Sequence, residues 1–437
     1  MGHDRYDVII VGAGPAGSTA AKICADNNLS VALIEKGKFP GSKNMFGGSI
    51  FRPSLEEIIP DYLETAPLER KVIREVLYFM ETDSVVEMGF TSFKFAQPPY
   101  NTFTIIRSRF DRWLAGIAEK AGAHLMNSTL VEDLLYEQSG PLAGKKVVGV
   151  ILEDGQKIYS DIVILAEGAM ADLTRKAGLR KKNSTDLFTL YVKELIALPE
   201  EIINARFNLE KDEGMNIGMV GYPTAGAIGK GGIWVNKDTI SIIVGAYLNQ
   251  LIKNGLNPYQ LLCRLKEHPS IKRLIEGGIT VQYMSKIIPK GGYDNIPELF
   301  DDGVLVAGDA GMLVSGRHGT DAAMLSGKYA AETAVQAKAR GDFSKKALSA
   351  YEGKINNSFF YQNLKINRKA ADYYKKYPDT DYLISKTLNE ITFEFFKEGS
   401  QTRDEKIEMI LEKLKQIQPP VKTIKDFYNA ALNWRFY

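Results

Sequence analysis

The first 35 residues alternate apolar runs with a glycine-rich turn, in an order typical of a nucleotide-binding βαβ unit. Residues 7–11 (DVIIV) form a continuous apolar run, which predicts a parallel strand buried on both faces. The turn GAGPAG and the Ala-rich segment STAAKICA follow, and a second apolar run, VALIEK, contains Glu35. This order predicts the first half of a Rossmann-type sheet.

Each glycine of the turn has its own role in binding a dinucleotide. Gly12 allows the tight turn, Gly14 lets a pyrophosphate approach the helix N-terminus, and Gly17 lets the helix pack on the strand. Glu35 lies at the spacing where a carboxylate accepts hydrogen bonds from a ribose. From these residues alone, FAD and NAD are both open.

Three further segments continue the pattern beyond Glu35. Residues 36–50 are rich in Gly, Pro, Ser and Asn and predict a loop over a ligand, with Lys43 and Asn44 as its polar contacts. Residues 55–77 predict a helix, and residues 107–123 predict a strongly amphipathic helix that follows a strand.

Two more buried strands are predicted to end in small-residue turns. Asp154 and Gly155 form the turn of a predicted hairpin, after which residues 161–169 (DIVILAEGA) predict a buried strand. Residues 301–311 (DDGVLVAGDAG) predict another, followed by a helix over 320–339 whose N-terminus can face an electron-rich ring. This ligand-contacting turn, in addition to the turn at residues 12–17, favours FAD over NAD.

The composition narrows the class of protein. The chain has 437 residues, of which 45% are hydrophobic and 25% charged, as in a globular protein with more than one domain. A formal net charge of +2 gives no indication of nucleic-acid binding. We find no signal peptide and no apolar run long enough to span a bilayer, so we expect a cytoplasmic protein.

The residue types give little indication of side-chain catalysis. Cys24 and Cys263 are the two cysteines, and with four histidines they show no metal-ligand spacing, so no metal site is predicted. No general acid, base or nucleophile stands out, as is usual where a cofactor carries the chemistry. We interpret His318 as a surface or hydrogen-bonding residue rather than a proton donor.

Three segments together resemble one family. They are DVIIVGAGPAGSTAA with EKG…GSKNMFGG, IIRSRFDRWLAGIAEKAGA with DIVILAEGA, and GVLVAGDAGMLVSGRHGTDAAMLSGKYAAE. They resemble the FixC-type electron-transfer flavoprotein:quinone oxidoreductases, over most of the chain to about residue 370. The resemblance implies an α/β fold in which a glutathione-reductase-like, FAD-binding Rossmann domain is interleaved with an antiparallel-sheet quinone domain and followed by a helical C-terminal region.

The resemblance also implies site residues. In GMVGYPT, Tyr222 and Pro223 match the wall of the family's quinone slot, although a Tyr-Pro corner between two strands is an equal alternative. Asp321 stands where eukaryotic members have a histidine. The residues implied to bind FAD are Gly12, Gly14, Ala16, Gly17, Glu35, Lys36, Lys43, Gly48, Arg107, Ala166, Gly168, Gly308, Asp309, Gly319 and Thr320.

The function implied is an FAD-containing oxidoreductase that takes electrons from an electron-transfer flavoprotein (FixA/FixB type) and passes them to a membrane quinone. Eukaryotic members continue into a ferredoxin-like domain with four cysteines, which this chain lacks. It resembles the split bacterial and archaeal form, in which a separate ferredoxin-like iron–sulfur subunit (FixX type) carries the cluster. Such assemblies are associated with electron bifurcation from NADH to quinone and ferredoxin.

Two surfaces are expected to contact these partners. Peripheral contact with the inner face of the cytoplasmic membrane is expected near Tyr222 or residues 384–396, although a core-facing helix is the other interpretation of the latter. A basic stretch is a candidate docking face for the ferredoxin-like subunit, or simply a solvated helix face. Its residues are Lys365, Arg368, Lys369, Lys375 and Lys376.

Three alternatives are weighed against this interpretation. A geranylgeranyl reductase would typically carry a Y-x-W-x-F-P pattern on the inserted sheet, whereas this chain has GMVGYPT. An aromatic hydroxylase would carry a His and a Pro-rich loop after the GD motif. A non-catalytic docking platform would hold FAD only for structure, and the reducibility of the bound flavin would identify it.

The predicted domain organisation alternates between two domains along the chain. The FAD domain is predicted to comprise residues 1–75, 106–183 and 291–341, and the helical C-terminal region residues 342–437. The quinone or substrate domain is predicted to comprise residues 76–105 and 184–290. In its second stretch, 184–290, the strands are predicted to be separated by turns rather than helices.

Overall fold

The computed structural model describes residues 5–44, 48–138, 145–181 and 184–435. The strands are β1 Arg5–Val11, β2 Val31–Ile34, β3 Ser49–Phe51, β4 Leu68–Met80, β5 Val85–Thr91, β6 Thr102–Ile105, β7 His124–Met126, β8 Val131–Gln138, β9 Lys145–Leu152, β10 Lys157–Leu165, β11 Phe188–Ala197, β12 Glu213–Gly221, β13 Gly229–Val235, β14 Thr239–Tyr247, β15 Ile279–Pro289, β16 Phe300–Asp301 and β17 Val304–Val306. The helices are α1 Pro15–Asp26, α2 Arg52–Ile58, α3 Tyr62–Thr65, α4 Arg107–Lys120, α5 Asp172–Lys176, α6 Glu200–Phe207, α7 Leu248–Lys253, α8 Pro258–Glu267, α9 Pro269–Ile275, α10 Gly319–Arg340, α11 Lys345–Leu348, α12 Ala350–Asn356, α13 Phe359–Lys376, α14 Thr380–Phe396, α15 Arg403–Ile417 and α16 Pro420–Arg435.

The chain divides into two compact units, each built from three stretches of sequence. The stretches of unit 1 are Met1–Leu68, Ile105–Leu187 and Ile288–Ile366, and those of unit 2 are Glu69–Thr104, Phe188–Ile287 and Asn367–Tyr437. Residues 342–366 of the predicted C-terminal region thus belong to unit 1, and its remaining residues belong to unit 2.

Unit 1 is built on a sheet with the strand order β16-β17-β10-β1-β2-β7, and β8 and β9 extend it as a meander from β10. The pairs β1–β10, β1–β2, β10–β17 and β2–β7 are parallel. Helices α1 and α10 pack on each other, and α1 also packs on α4. The predicted Rossmann sheet is confirmed, and the carboxyl ends of β1, β10 and β17 meet at one edge.

Unit 2 contains a mixed sheet with the order β15-β11-β14-β13-β12-β4-β6, in which β5 also pairs with β4. The pairs β11–β14, β14–β13, β13–β12 and β4–β5 are antiparallel, as predicted for the inserted sheet, but β12 and β4 are parallel. One face of the sheet carries a hydrophobic core that includes Ile217, Ile233, Ile242 and Leu262.

Two expectations about local structure are wrong. In place of the helix predicted over 55–77 there are the last residues of α2, which ends at Ile58, the short helix α3, which ends at Thr65, and the strand Leu68–Met80. Val72, Ile73 and Val76 recur at a helical spacing, but pairing with β5 and β12 satisfies the backbone of this segment and overrides that pattern. Four helices, α6 to α9, also lie between the strands of 184–290, where only turns were predicted.

Helix α14, which covers the predicted amphipathic stretch, packs against the sheet of unit 2 with its first turns. Ile384 packs in a cluster with Phe79 and Val220. Ser385 Oγ donates to the carbonyl of Val220 at 3.3 Å, and Asn389 Nδ2 donates to that of Phe79 at 2.9 Å. The core-facing interpretation therefore holds for this part of the helix.

Candidate functional site

Two glycines of the turn between β1 and α1 leave no room for a larger residue. Gly12 has φ +102°, and a Cβ there would lie 2.4 Å from the carbonyl oxygen of Ala166 at the end of β10. A Cβ on Gly17 would lie 1.9 Å from the carbonyl oxygen of Gly12. The predicted residues Gly12, Gly17 and Ala166 therefore meet where β1 and β10 end.

Gly14 differs from its neighbours because it borders open space. It is the N-cap residue of α1, and a Cβ built on it meets no atom within 4 Å. The first N–H groups of a helix and its dipole attract anions. A closely packed turn followed by a helix N-terminus that borders open space fits a pyrophosphate.

Glu35 is held against the same turn, immediately after β2. Its Oε2 accepts a hydrogen bond from the N–H of Ala13 at 3.0 Å, and its Oε1 accepts one from the N–H of Gly37 at 2.6 Å. The carboxylate lies at the edge of the turn and retains lone pairs for ribose hydroxyls. Lys36 and Lys43 are exposed.

A second group of predicted residues meets at the start of α4. The Arg107 guanidinium forms a bidentate ion pair with Asp111, with Nε–Oδ1 2.6 Å and Nη2–Oδ2 2.9 Å, and Nη1 lies 3.4 Å from Thr320 Oγ1. A Cβ on Gly41 would lie 2.9 Å from the carbonyl oxygen of Arg107, so the loop after β2 packs here. The carbonyl of Gly48 accepts a hydrogen bond from Ile105 at 3.0 Å.

The third predicted turn follows β17 and contacts the first. Gly308 has φ +68°, and a Cβ there would lie 3.1 Å from Cβ of Ala16. Its N–H donates to Ser326 Oγ of α10 at 2.9 Å. Asp309 follows, and the chain then enters α10 at Gly319. At the end of β10, Gly168 has φ +80° and also borders open space.

Sequence reasoning did not identify Asp111 as part of the site, although its i,i+4 spacing from Arg107 on a predicted helix was an available signal. It also assigned no site role to His318 and Asp321. His318 Nδ1 lies 3.5 Å from Oδ2 of the buried Asp321, whose Oδ1 accepts a hydrogen bond from the N–H of Phe51 at 3.3 Å. Burial raises the pKa of Asp321.

The predicted quinone residues lie in unit 2, in the turn that follows β12. Pro223 is buried, and the half-buried ring of Tyr222 has the Arg264 guanidinium 3.9 Å from its centroid and the His268 ring 5.1 Å away. Gly221, before them, has φ +89°, and a Cβ there would lie 2.5 Å from Ser385 Oγ. The turn is therefore fixed by α8 and α14.

His268 is held by hydrogen bonds at both ring nitrogens. Nδ1 accepts from the N–H of Ser270 at 3.2 Å and thereby caps α9, and Nε2 lies 2.8 Å from the carbonyl oxygen of Glu81. These partners require the neutral tautomer with its proton on Nε2. Burial lowers the pKa of this imidazole.

The sequence matches one family of known proteins and is similar to individual relatives. Residues 7–184 match the family of FAD dependent oxidoreductases. Protein FixC of Bradyrhizobium diazoefficiens is 36% identical over an alignment 448 positions long, which covers 100% of both chains. Protein FixC of Azorhizobium caulinodans is 37% identical over 400 residues, which cover 89% of this chain and 90% of the relative.

Solved structures share the fold at lower identity. A geranylgeranyl bacteriochlorophyll reductase-like protein from Thermoplasma acidophilum has a TM-score of 0.68 and 20% identity, covering 97% of this chain and 100% of that one. The myxobacterial chondrochloren halogenase CndH, a variant of FAD-dependent halogenases, has a TM-score of 0.63 and 17% identity, covering 91% of this chain and 84% of that one. At these identities the likeness concerns the fold alone.

The residues of unit 1 fit FAD. The open space at Gly14 suits the pyrophosphate, Glu35 a ribose, and Asp309 a hydroxyl of the sugar-alcohol chain. When bound, FAD supplies the electron-accepting and electron-donating chemistry. The residues above would bind and orient it, and the N-terminus of α10 would offer a positive dipole end to a ring that gains electrons.

Proposed function

Since this chain belongs to the FixC family of FAD-dependent oxidoreductases, we propose that it accepts electrons from an electron-transfer flavoprotein and passes them to a membrane quinone. The observation that carries the proposal is the extent of the similarity to FixC proteins. It covers both units, whereas the family of FAD dependent oxidoreductases matches only residues 7–184. The same proposal assigns the FAD contacts to the predicted residues of unit 1.

The turn at Tyr222 and Pro223 is the proposed wall of the quinone site. The aromatic ring and the buried proline offer apolar surface to a quinone ring. The Arg264 guanidinium lies 3.9 Å from the centre of the Tyr222 ring, so a positive charge adjoins this wall. Such a charge stabilises the negative charge that develops on a quinone oxygen as electrons arrive.

A surface of unit 2 is proposed to contact the membrane, because a quinone with an isoprenoid tail stays in the bilayer. Within the described ranges, no helix is long and apolar enough to cross a membrane. The C-terminal turn of α14 instead exposes Phe393, Phe395 and Phe396 by 60%, 61% and 71%. Lys397 Nζ lies 5.9 Å from the Phe393 ring, so a cation adjoins the aromatic surface. Aromatic and basic side chains together favour insertion at an anionic interface.

The electron donor is proposed to act with a separate cluster-bearing subunit. The two cysteines of the chain cannot supply four thiolates, and Cys24 is buried. On α13, five basic residues are exposed and offer a face to an acidic ferredoxin-like protein. They are Lys365, Arg368, Lys369, Lys375 and Lys376. Within such a complex, NADH would supply one electron to the quinone and one to ferredoxin.

Anaerobic reoxidation of the reduced flavin tests the acceptor. The purified protein is photoreduced with EDTA as the electron donor and mixed with a short-chain quinone or with geranylgeranyl diphosphate, and the flavin absorbance is followed by stopped flow. We expect rapid reoxidation by the quinone and none by the isoprenoid. We also expect Tyr222→Ala to slow the reaction about tenfold or more, because it removes the aromatic wall.

Tyr159→Ala is the matched control, since Tyr159 is an exposed tyrosine of unit 1. Its reoxidation rate should equal that of the unaltered protein. Reoxidation by geranylgeranyl diphosphate but not by quinone would replace the proposal with the reductase alternative. A flavin that cannot be reduced at all would favour a docking platform.

A further inference from the structure

Lys290 is a partly buried cation beside the third turn of unit 1, and the residues assigned to FAD from the sequence do not include it. It directly follows β15, and its N–H donates to the carbonyl of Leu187 at 2.7 Å. Its Nζ donates to the carbonyl of Gly316 at 3.3 Å. Gly316 lies in the loop between Asp309 and the start of α10.

The backbone around Lys290 is closely packed on that loop. A Cβ on Gly291 would lie 2.8 Å from Sδ of Met312, so the two segments leave no room for a side chain between them. Asn295 Nδ2 donates to the carbonyl of Gly291 at 2.7 Å and fixes the turn that follows. The backbone that carries the Lys290 side chain is therefore held in position by the fold.

The charge environment of Lys290 connects it with the flavin site. Burial lowers the pKa of this amine to about 8, and the negative charge of Asp309 partly offsets that effect. The side chain therefore remains mostly protonated at pH 7. It contacts the loop that leads into the N-terminus of α10 and interacts with Asp309, and both features are assigned to FAD above.

We infer that Lys290 is an electrostatic determinant of the flavin potential: its ammonium group compensates the negative charge that FAD gains on accepting electrons. Lys290 transfers neither an electron nor a proton in this role. A partly buried cation is less screened by water than an exposed one, so it interacts more strongly with a nearby charge. The inference rests on FAD binding to unit 1 and is independent of the identity of the acceptor.

Spectroelectrochemical titration of the bound flavin tests the inference. Lys290→Gln keeps a hydrogen-bond donor for Gly316 but removes the charge, and Lys290→Arg keeps the charge. We expect Lys290→Gln to disfavour flavin reduction at least tenfold, a fall of about 30 mV for a two-electron couple. Lys290→Arg should retain the potential of the unaltered protein.

Lys346→Gln is the control for the loss of a positive charge, because Lys346 is an exposed lysine of unit 1. It should leave the potential unchanged. An unchanged potential in Lys290→Gln with a full flavin content would overturn the inference, as would an equal fall in Lys346→Gln.

If Lys290→Gln does not retain flavin, the flavin potentials of the unaltered protein and of Lys290→Arg are compared from pH 7 to pH 10 instead. Lysine loses its charge across this range and arginine does not, so the potential of the unaltered protein should fall below that of Lys290→Arg. The other charged groups of this region are common to both proteins, namely Asp309, Arg180, Arg317, His318 and Asp321. Equal potentials throughout would reject the role of Lys290.

Discussion

At the scale of single residues, a substitution at Gly14 should impair cofactor binding without impairing folding. Because a Cβ at Gly14 meets no atom within 4 Å, Gly14→Val should fold, but its side chain would occupy the space assigned to the pyrophosphate. We expect the purified variant to lose most of its flavin absorbance while keeping the circular dichroism of the unaltered protein. Gly116→Val is the control, because Gly116 in α4 also borders open space and has no assigned ligand. Gly14→Val protein with a full flavin spectrum would contradict the assignment.

A second prediction at this scale concerns pH. Burial lowers the pKa of His268 in the folded protein, so the neutral form is favoured there. The contribution of His268 to stability should be complete above the pKa of about 6.5 that the imidazole has in the unfolded chain. This contribution should be lost as the pH falls from that value towards the lower pKa of His268 in the folded protein. His268→Ala should destabilise α9 by about 1 kcal/mol at pH 8, the usual effect of removing an N-cap.

Hydrogen exchange of the α9 amides measures this effect locally. The loss of protection in His268→Ala should be smaller at pH 5 than at pH 8, after correction for the intrinsic exchange rates. His124→Ala is a suitable control, because His124 lies in β7 of unit 1. An effect of equal size at both pH values would show that the imidazole cap does not depend on its protonation.

At the scale of elements, the close packing of α14 on β12 determines how the Tyr222 turn is held. A Cβ on Gly221 would lie 2.5 Å from Ser385 Oγ and 2.6 Å from the carbonyl oxygen of Met80, at φ +89°. Gly221→Ala should therefore destabilise unit 2 by more than the roughly 1–3 kcal/mol typical of a strained backbone conformation alone. Gly226→Ala, at φ +84° with no atom within 4 Å of its Cβ, isolates the backbone effect. Equal urea midpoints for the two variants would argue against a steric clash between the Cβ at position 221 and its neighbours.

The exposed end of α14 carries the prediction about membranes. Replacing Phe393, Phe395 and Phe396 together with serine should reduce co-flotation with quinone-containing anionic liposomes about tenfold or more, since each buried phenylalanine contributes about 1.5–3 kcal/mol. The control replaces three exposed apolar residues of α15 with serine in the same way. These are Ile407, Met409 and Leu411. Similar losses in both variants, or none in the first, would remove this surface from the proposal.

At the scale of the whole molecule, the proposed electron path requires a partner, because the chain lacks the cysteines for a cluster. We expect reduced electron-transfer flavoprotein to reduce this flavin much faster when the ferredoxin-like subunit is present. Charge reversal of Lys365, Lys369 and Lys376 to glutamate should remove that acceleration if α13 is the docking face. Equal rates with and without the subunit would eliminate the external cluster from the mechanism.

The sequence by itself determined the features whose signals are local. Gly12, Gly14, Gly17 and Glu35 lie within one βαβ unit, so strand periodicity, turn chemistry and spacing sufficed to predict the turn and its carboxylate. The strand before Asp309 was recognisable in the same way. The motifs also led to the correct family, because their combination is far more specific than any one of them.

Only the tertiary structure decided which distant residues meet. Arg107 and Thr320 are 213 positions apart, and Ala16 meets Gly308 because β1 and β17 end at the same edge of the sheet. Residues 68–77 have a helical spacing of apolar residues yet form a strand, because hydrogen bonds to β5 and β12 outweigh local preference. No local sequence pattern identifies Lys290 as part of the site, since its ammonium group contacts a loop 26 residues further along the chain. Contacts of this kind depend on strand pairing and packing, which sequence periodicity does not encode.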